Sequence, residues 1–318
     1  MRVLVAGGAG FIGSHVCAEL LVRGHDVVCV DNLVTGSADR MHELDASRRF
    51  VFVREDVTRT PLLQVDVVLH LASPASPADR AQFPIETMLA NSAGTHRLLA
   101  LAADRGARFV FGSTSGIYGE PLEQPQRETY RGNVDPVGDS ACYDESKRFG
   151  EALTFEYRRK HGVNASIVRI FDTYGAGMSL RDGRALPALI NAALDRRALP
   201  IFGDGEQTRS LCHVSDLVDA LLLVTLDHAA DGQVFNVGDP HEVTTNDLAR
   251  AVAAAAGIPA RLEYMAALAD EPARLSPDIG RMIRRYDWEP RVELADGLRE
   301  TIAHFADERA DRPVAEVA

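Results

Sequence analysis

Lysine is almost missing from this sequence: the chain has two, Lys147 and Lys160, although lysine and arginine together number 34. Long apolar runs are missing too, and so is an opening with a charged and then an apolar stretch. These absences predict no transmembrane span and no secretory leader, and therefore a cytoplasmic protein. The net charge of −12 makes nucleic acid and anionic membranes poor partners, so we expect neither.

Cysteine is scarce as well, and its positions follow no metal-binding pattern. The four residues are Cys17, Cys29, Cys142 and Cys212, with no spacing typical of zinc or iron–sulfur ligands. Cys29 falls in an apolar strand pattern. The sequence therefore predicts reduced thiols and no metal site.

One of the two lysines stands one helical turn after a tyrosine, in the segment Tyr143-Asp-Glu-Ser-Lys147. Side chains at i and i+4 share a helix face, so the ammonium and the phenol are expected to lie together. A neighbouring cation lowers the pKa of a phenol, which could then take a proton from a sugar hydroxyl. A solvated Tyr/Lys pair on a surface helix is the alternative for so short a pattern.

The amino terminus has the pattern of a dinucleotide-binding turn. A short apolar strand, Arg2–Ala6, is followed by glycines at 7, 10 and 13 and by a predicted helix over Ser14–Arg23. Such glycines allow a tight turn and close approach of the backbone to a pyrophosphate, which the helix N-terminus then faces. A second predicted strand, Asp26–Val30, ends in Asp31, where a carboxylate can accept both ribose hydroxyls and repel a 2′-phosphate. The pattern predicts NAD as the cofactor.

Strand and helix patterns continue to alternate along the chain, which predicts parallel strands joined by right-handed crossovers. The expected fold class is α/β: a doubly wound parallel Rossmann sheet with a smaller, discontinuous α/β substrate lobe. We expect residues 1–173 and 211–238 to form the NAD-binding domain, and 174–210 and 239–318 to form the substrate-binding lobe. The remaining predicted strands are Arg49–Arg54, Val65–Leu71, Arg108–Ser113, Asn164–Phe171 and Gln233–Val237, and the later helices are Leu186–Asp195, Val214–Leu226 and Thr245–Ala256.

Several longer motifs resemble the extended short-chain dehydrogenase/reductase family, also known as the NAD-dependent epimerase/dehydratase family, over nearly the whole chain. Within that family they are similar to the UDP-glucuronate decarboxylases, or UDP-xylose synthases. The motifs are His70–Pro77, Gly132–Gly138, Ala141–Arg148, Gln207–Arg209 and Val214–Leu217. The resemblance implies tightly held NAD, a nucleotide-sugar substrate and a homodimer packed through helices of the first lobe.

The resemblance also implies roles for individual residues. Thr114, Tyr143 and Lys147 match the family's catalytic, proton-handling set. Ser115, Asp172, Arg209 and Arg274 are the expected substrate-binding residues, with Arg209 on the diphosphate. The expected cofactor-binding residues are Gly7, Gly10, Phe11, Ile12, Gly13, Asp31, Asn32, Asp56, Val57, Leu71, Ala72 and Ser73, together with Tyr143 and Lys147.

The implied chemistry is a transient oxidation at C4 of the glucuronosyl ring. Tyr143 removes the hydroxyl proton while NAD takes the hydride, and the resulting ketone is β to the C6 carboxylate. Carbon dioxide can then leave, because the carbonyl receives the electron pair. Return of the hydride gives UDP-xylose without net redox change.

Four positions depart from the decarboxylase pattern. Gly116 stands where the family has glutamate, Asp172 where it has asparagine, Gly177 where it has arginine, and Leu275 where it has a late arginine. One interpretation is drift, with Glu120, Arg274 or Arg184 compensating. The other is that the redox machinery was kept while the substrate pocket was rebuilt.

Three functions remain open on this sequence. The first is a UDP-glucuronate decarboxylase-like enzyme. The second is a redox-neutral epimerase acting on a nucleotide sugar or nucleoside-like compound, which the small residue at Gly116 fits. The third is a non-catalytic NAD-binding protein, against which the intact Thr114, Tyr143 and Lys147 argue.

The carboxylate of Asp172 bears on the substrate, because an ionised carboxylate accepts hydrogen bonds and repels phosphate oxygens. Either it pairs with a cation such as Arg169 or Arg209, or the substrate places a hydroxyl or amine donor beside it. We favour the second hypothesis, which predicts a modified sugar nucleotide or a compound with less phosphate.

Overall fold

The computed structural model describes residues 1–267 and 274–311. Strands and helices alternate along much of the chain, and the strands after residue 170 have four residues or fewer. The strands are β1 (Arg2–Ala6), β2 (Asp26–Asp31), β3 (Phe50–Arg54), β4 (Val67–His70), β5 (Arg108–Thr114), β6 (Ala165–Ile170), β7 (Thr173–Tyr174), β8 (Leu199–Phe202), β9 (Thr208–Ser210), β10 (Cys212–His213), β11 (Val234–Val237), β12 (Glu242–Thr244) and β13 (Leu262–Met265). The helices are α1 (Phe11–Val22), α2 (Ala38–Asp45), α3 (Pro77–Gln82), α4 (Pro84–Leu89), α5 (Thr95–Arg105), α6 (Ala141–His161), α7 (Ala185–Leu194), α8 (Val214–Leu226), α9 (Thr245–Ala255), α10 (Gly280–Tyr286) and α11 (Leu294–Asp311).

Seven strands form one parallel sheet in the order β11-β6-β5-β4-β1-β2-β3. The strand order reverses next to β1, and crevices at such reversals bind ligands at the carboxyl ends of the strands. This sheet confirms the predicted doubly wound α/β fold. The first helix begins at Phe11 rather than at the predicted Ser14, because the glycine turn is complete by Gly10.

Both faces of the sheet are covered, as a parallel sheet requires. Alternate residues of β1 belong to different cores: Val3 and Val5 pack with α1 and α8, whereas Leu4 and Ala6 pack with α5. Successive side chains of a strand point to opposite faces, so an unbroken apolar run fills both cores.

A third core lies outside the sheet and joins α7, α9, α11 and β8. It is accompanied by small strand pairs, the antiparallel β12–β9 and the parallel β13–β8. Within 239–318, the range predicted to belong to the second lobe, Ile279, Met282 and Trp288 pack into the core of the sheet. Residues 268–273 and 312–318 of that range lie outside the described residues. The division into two lobes stays a proposal.

Candidate active site

A cavity of about 1000 Å³ runs along the carboxyl edge of the sheet. Asp31 ends β2, Asp56 follows β3, Leu71 follows β4, Thr114 ends β5 and Asp172 follows β6, and all of them line this cavity. The sheet topology therefore brings together residues that are far apart in the sequence.

The glycine turn at one end of the cavity is packed too closely for side chains. Gly7 has φ +82°, and a Cβ atom there would lie 2.6 Å from the Cα atom of Ala72. A Cβ atom on Gly13 would lie 2.1 Å from the carbonyl oxygen of Gly7. Gly10 is different, because the only close atom is that carbonyl oxygen at 3.3 Å, and Gly10 lines the cavity. The turn thus leaves room for a pyrophosphate at the N-terminus of α1, which fits a dinucleotide.

Asp31 is held by backbone amides beside this turn. Its Oδ2 accepts from the Ala9 amide at 3.0 Å, and its Oδ1 accepts from the Leu33 amide at 2.8 Å. Burial raises the pKa of Asp31, and the two backbone hydrogen bonds oppose that rise. The carboxylate is therefore fixed in place at the cavity wall, where each oxygen keeps a lone pair for a ribose hydroxyl.

Asn32 and Asp56 are joined to each other near the same end. The Asn32 amide donates to Asp56 Oδ2 at 3.0 Å, while Thr58 donates to Asp56 Oδ1 through its amide and its hydroxyl. Burial raises the pKa of Asp56, but these hydrogen bonds outweigh it and the net shift is downward. All the predicted cofactor-binding residues line the one cavity: Gly7, Gly10, Phe11, Ile12, Gly13, Asp31, Asn32, Asp56, Val57, Leu71, Ala72, Ser73, Tyr143 and Lys147.

The predicted proton-handling set meets in the middle of the cavity. Tyr143 and Lys147 lie in the first turns of α6, and Thr114 ends β5. A hydrogen bond with the Thr114 side chain lowers the pKa of Tyr143. The Lys147 ammonium lies 5.7 Å from the centre of the Tyr143 ring and donates to the carbonyl oxygen of Gly112 at 2.7 Å.

The prediction that Lys147 lowers the pKa of Tyr143 is wrong for this structure. Burial raises the pKa of Tyr143 above its ordinary value, and the largest opposing effect comes from Arg80. Lys147 is itself buried, which lowers its pKa to about 7 against an opposing effect of Glu151. A cation of such weakened charge, bonded to a backbone carbonyl, gives little stabilisation to a phenolate.

Several charged residues line the cavity without having been assigned to the catalytic set, and three of them act on Tyr143: Arg80, Asp144 and Arg184. The Arg80 guanidinium lies 4.9 Å above the ring of Tyr143. Arg184 also acts on Tyr143 and lowers its pKa. The only sequence signal for Asp144 is its position next to Tyr143.

The predicted substrate-binding residues divide into two groups. Ser115, Asp172 and Arg209 line the cavity, whereas Arg274 does not and Leu275 beside it does. The Arg274 guanidinium instead binds Glu242, with an Nε–Oε1 distance of 2.7 Å. The structure therefore does not bring Arg274 to the position of the family's late arginine.

Asp172 has a cationic neighbour, but it is neither of the two expected residues. Its Oδ1 lies 3.8 Å from an Nη1 atom of Arg184, whose shorter hydrogen bonds go to Asp182. Arg169 is bound to Glu151 instead. We had expected the substrate to place a hydroxyl or amine donor beside Asp172. That hypothesis assumed a carboxylate without a cationic neighbour, and Arg184 lies beside it.

A second cavity of about 430 Å³ adjoins the first in the later part of the chain. The two cavities share Gly183, Arg184 and Arg209, and Phe202 and Gln207 lie deeper in the second one. The described geometry thus offers an extended path, from the glycine turn past Tyr143 to a side pocket lined by an aromatic ring and an amide.

The comparisons with known proteins agree with this geometry. The model of the NAD dependent epimerase/dehydratase family matches residues 3–238. The chain therefore belongs to this family. The match confirms the family recognised in the sequence.

Proteins similar to this chain include UDP-glucuronic acid decarboxylases and a UDP-glucuronic acid 4-epimerase. The chain is 42% identical to UDP-glucuronic acid decarboxylase 1 of Arabidopsis thaliana over 306 residues, which are 96% of this chain and 70% of that protein. It is 39% identical to UDP-glucuronic acid decarboxylase 1 of Danio rerio over 307 residues, covering 96% and 73%. Among solved structures, UDP-glucuronic acid 4-epimerase of Bacillus cereus with UDP-glucuronic acid and NAD superimposes with a TM-score of 0.86 at 28% identity, covering 97% of this chain and 100% of that one. The family description and this NAD complex confirm the predicted cofactor.

No helix within residues 1–267 and 274–311 is long and apolar enough to cross a membrane. The same part of the chain holds no group of three or more His, Cys, Asp or Glu side chains that could bind a metal ion.

Proposed function

We propose that this protein is an NAD-dependent enzyme that decarboxylates UDP-glucuronate. The observation that carries the proposal is that Tyr143 lies in the cavity with two arginines acting on it: Arg80 lies 4.9 Å from its ring, and Arg80 and Arg184 oppose the rise in its pKa that burial causes. Half-buried cations beside the catalytic phenol suit a sugar that bears a carboxylate at C6. The similarity to UDP-glucuronic acid decarboxylases over 96% of the chain supports the same substrate.

Different residues of the cavity have different roles in this reaction. Tyr143 takes the proton of the C4 hydroxyl, and Thr114 holds that hydroxyl and the phenol together. Bound NAD would supply the hydride acceptor for the oxidation at C4 and the hydride donor for the final reduction. The arginines orient the C6 carboxylate, whose bond to C5 breaks once the neighbouring C4 carbon is a ketone.

We assign one end of the cavity to NAD and the other end to the nucleotide-sugar substrate. The predicted cofactor residues from Gly7 to Ser73 hold NAD, with Asp31 on the adenosine ribose and Lys147 on the nicotinamide side. Ser115, Asp172 and Arg209 contact the substrate, with Arg209 on its diphosphate. The side pocket lined by Phe202 and Gln207 takes the nucleotide base, because a ring and an amide suit stacking and base-edge hydrogen bonds. On this assignment, residues 1–173 and 211–238 bind NAD, and 174–210 and 239–318 bind substrate.

A second candidate is a 4-epimerase of a UDP-uronate. Gly116 favours it, because the glutamate of the decarboxylases is absent there. An epimerase must return hydride to the opposite face of the ring and does not break the C5–C6 bond. The two reactions therefore differ in product mass. A non-catalytic NAD-binding role fits less well, because Thr114, Tyr143 and Lys147 are intact and together.

One assay separates these functions. The purified protein is incubated with NAD and, in separate reactions, with UDP-glucuronate, UDP-galacturonate and UDP-glucose, and the products are analysed by mass spectrometry and NMR. Loss of one CO2 from UDP-glucuronate supports the decarboxylase, and a new sugar of unchanged mass supports the epimerase. No change with any of the sugars contradicts both enzyme functions.

We further propose a cytoplasmic homodimer. All four cysteines are free, which suits a reducing compartment. Helix α4 packs on α6, and their outer surface exposes Ile85, Met88, Leu89 and Phe149, each at least 43% accessible. Exposed apolar side chains on two adjacent helices are typical of a subunit interface.

A further inference from the structure

A carboxylate occupies the place of the side chain that Gly116 lacks. A Cβ atom built on Gly116 would lie 2.1 Å from Oδ1 of Asp144 and 3.4 Å from Cγ2 of Thr114. The acid from α6 therefore fills the volume that a residue at 116 would need. The two positions exclude each other: a side chain at 116 requires the Asp144 carboxylate to move.

The Asp144 carboxyl group is placed for chemistry rather than for structure. The residue is 8% exposed and lines the cavity beside Tyr143. Among the described residues, no hydrogen bond or ion pair is made by its side chain. A buried carboxyl group without a partner is costly to the fold unless it has a ligand or a function.

The surroundings keep a substantial fraction of this group protonated near neutral pH. Burial raises the pKa of Asp144 from its usual 3.8 to about 7. Arg80 of α3 and Arg148 of its own helix oppose the rise, and Glu145 adds to it. Burial contributes most to the raised pKa of Tyr143, and the Asp144 carboxylate in turn raises that pKa further. A carboxyl group with such a pKa can act as a general acid at working pH.

We propose that Asp144 is the acid that protonates C5 of the sugar after CO2 has left, in place of the family's glutamate. The inference rests on the proposed decarboxylase function. When the C5–C6 bond breaks, its electron pair passes to the C4 carbonyl oxygen and leaves an enolate. C5 of the enolate then takes the proton of the Asp144 carboxyl group, the C4 ketone reforms, and the Asp144 carboxylate regains a proton from solvent. The decarboxylation consumes one proton in total, which this cycle supplies.

The first test is Asp144→Asn with UDP-glucuronate and NAD. Asparagine keeps the size of the side chain and removes the acidic proton. We expect product formation to fall at least roughly 100-fold. The first half-reaction, followed in a single turnover by the absorbance of the reduced cofactor, is expected to stay within about threefold. Glu156→Gln, on the exposed part of the same helix, is the matched control and should change neither rate.

A second test moves the carboxyl group to the family's position. The double variant Gly116→Glu/Asp144→Ala should be at least about tenfold more active than Asp144→Ala alone, because the new side chain enters the volume that the carboxylate left. Gly116→Ala alone should lower product formation, since its Cβ atom displaces the Asp144 carboxylate without changing residue 144. This variant tests the inference if Asp144→Asn folds poorly.

Stability provides a readout that does not depend on turnover. The folded pKa of Asp144 lies above the unfolded one, so its contribution to stability is present below about pH 3.8 and is lost as the pH rises towards 7. The melting temperature of the wild type should therefore fall over this pH window more than the melting temperature of Asp144→Asn.

The outcomes separate the inference from the function on which it rests. If Asp144→Asn forms product at the wild-type rate, the role of Asp144 is overturned and the decarboxylase function still stands. Loss of the first half-reaction in that variant also overturns the role, because an acid for C5 acts later. If the wild type releases no CO2 from UDP-glucuronate, both the function and the inference fall.

Discussion

The guanidinium of Arg80 lies 4.9 Å above the ring of Tyr143, closer than the ammonium of Lys147 at 5.7 Å. Arg80 is the largest influence that lowers the pKa of Tyr143 against its burial. An arginine keeps its charge at every pH at which the enzyme can work, whereas burial lowers the pKa of Lys147 to about 7. Arg80 is therefore the cation expected to favour the phenolate most strongly in this structure.

Substituting Arg80 should move the pH dependence of the reaction. Arg80→Met removes the cation but keeps a long apolar side chain, so the pKa of Tyr143 rises and the phenolate forms only at higher pH. We expect kcat near pH 7 to fall roughly tenfold and its rising limb to shift to higher pH. Arg159→Met, on an exposed pair with Glu156, is the control. An unchanged pH–kcat profile for Arg80→Met would show that Arg80 does not activate the phenol.

Tyr143→Phe should abolish turnover, because it removes only the ionisable oxygen. We expect activity below about 1% of the wild type, with NAD binding unchanged by calorimetry. Thr114→Val should have a smaller effect, since it removes one hydrogen bond. Tyr157→Phe, further along α6, is the matched control. More than a tenth of the activity remaining in Tyr143→Phe would contradict the mechanism.

The cofactor preference should follow from Asp31. Its carboxylate is fixed by the amides of Ala9 and Leu33, so it cannot turn away from a 2′-phosphate. Repulsion at about 4 Å is worth roughly 4 kcal/mol at an effective dielectric of about 20, so NADP should bind at least about 100-fold more weakly than NAD. We also expect some NAD to remain bound through purification.

The control for that prediction lies at the other end of the same strand. Asp31→Asn should narrow the difference between the two cofactors, whereas Asp26→Asn, at the exposed start of β2, should not. Calorimetric titration of each protein with NAD and NADP measures both effects. Equal affinities of the wild type for the two cofactors would refute the assignment of Asp31.

Local patterns in the sequence predicted the sheet, the glycine turn and the pairing of Tyr143 with Lys147, whereas Thr114 was named from the resemblance to the family. The glycines of the turn lie close together in the sequence, and so do Tyr143 and Lys147, so their spacing was enough to find them. The bonding of Lys147 was not predictable in this way, because its acceptor, the carbonyl oxygen of Gly112, belongs to another strand.

Tertiary placement decides the residues that the sequence analysis missed or misplaced. Arg80 belongs to α3 and Tyr143 to α6, and only the tertiary fold brings the guanidinium to 4.9 Å from the ring. Arg274 and Leu275 are neighbours in extended backbone, where successive side chains point to opposite sides. One of them therefore faces the cavity and the other faces Glu242, and no local pattern indicates which.

The buried pair of Arg169 and Glu151 should be important for stability. Two parallel hydrogen bonds of 2.9 and 2.8 Å join the groups, and both side chains are nearly buried. Glu151→Ala leaves the arginine charge uncompensated and should lower the free energy of unfolding by about 3–5 kcal/mol. Glu156→Ala, which breaks an exposed pair on the same helix, should cost less than about 1 kcal/mol. Urea unfolding followed by circular dichroism measures both, and equal costs would contradict this account.

The proposed dimer should depend on the apolar surface of α4 and α6. Phe149 is 51% exposed on α6, and Met88 is 43% exposed on α4, which packs against it. A charge placed in the centre of such a surface would have to be buried without a partner on association. Phe149→Asp should therefore convert the dimer to a monomer while leaving NAD binding within about threefold.

Val22→Asp is the matched control, because Val22 is 80% exposed on α1, a different helix. Light scattering after size-exclusion chromatography gives the mass of each protein. A wild type that is monomeric at every concentration, or a dimer that survives Phe149→Asp, would exclude this surface as the interface.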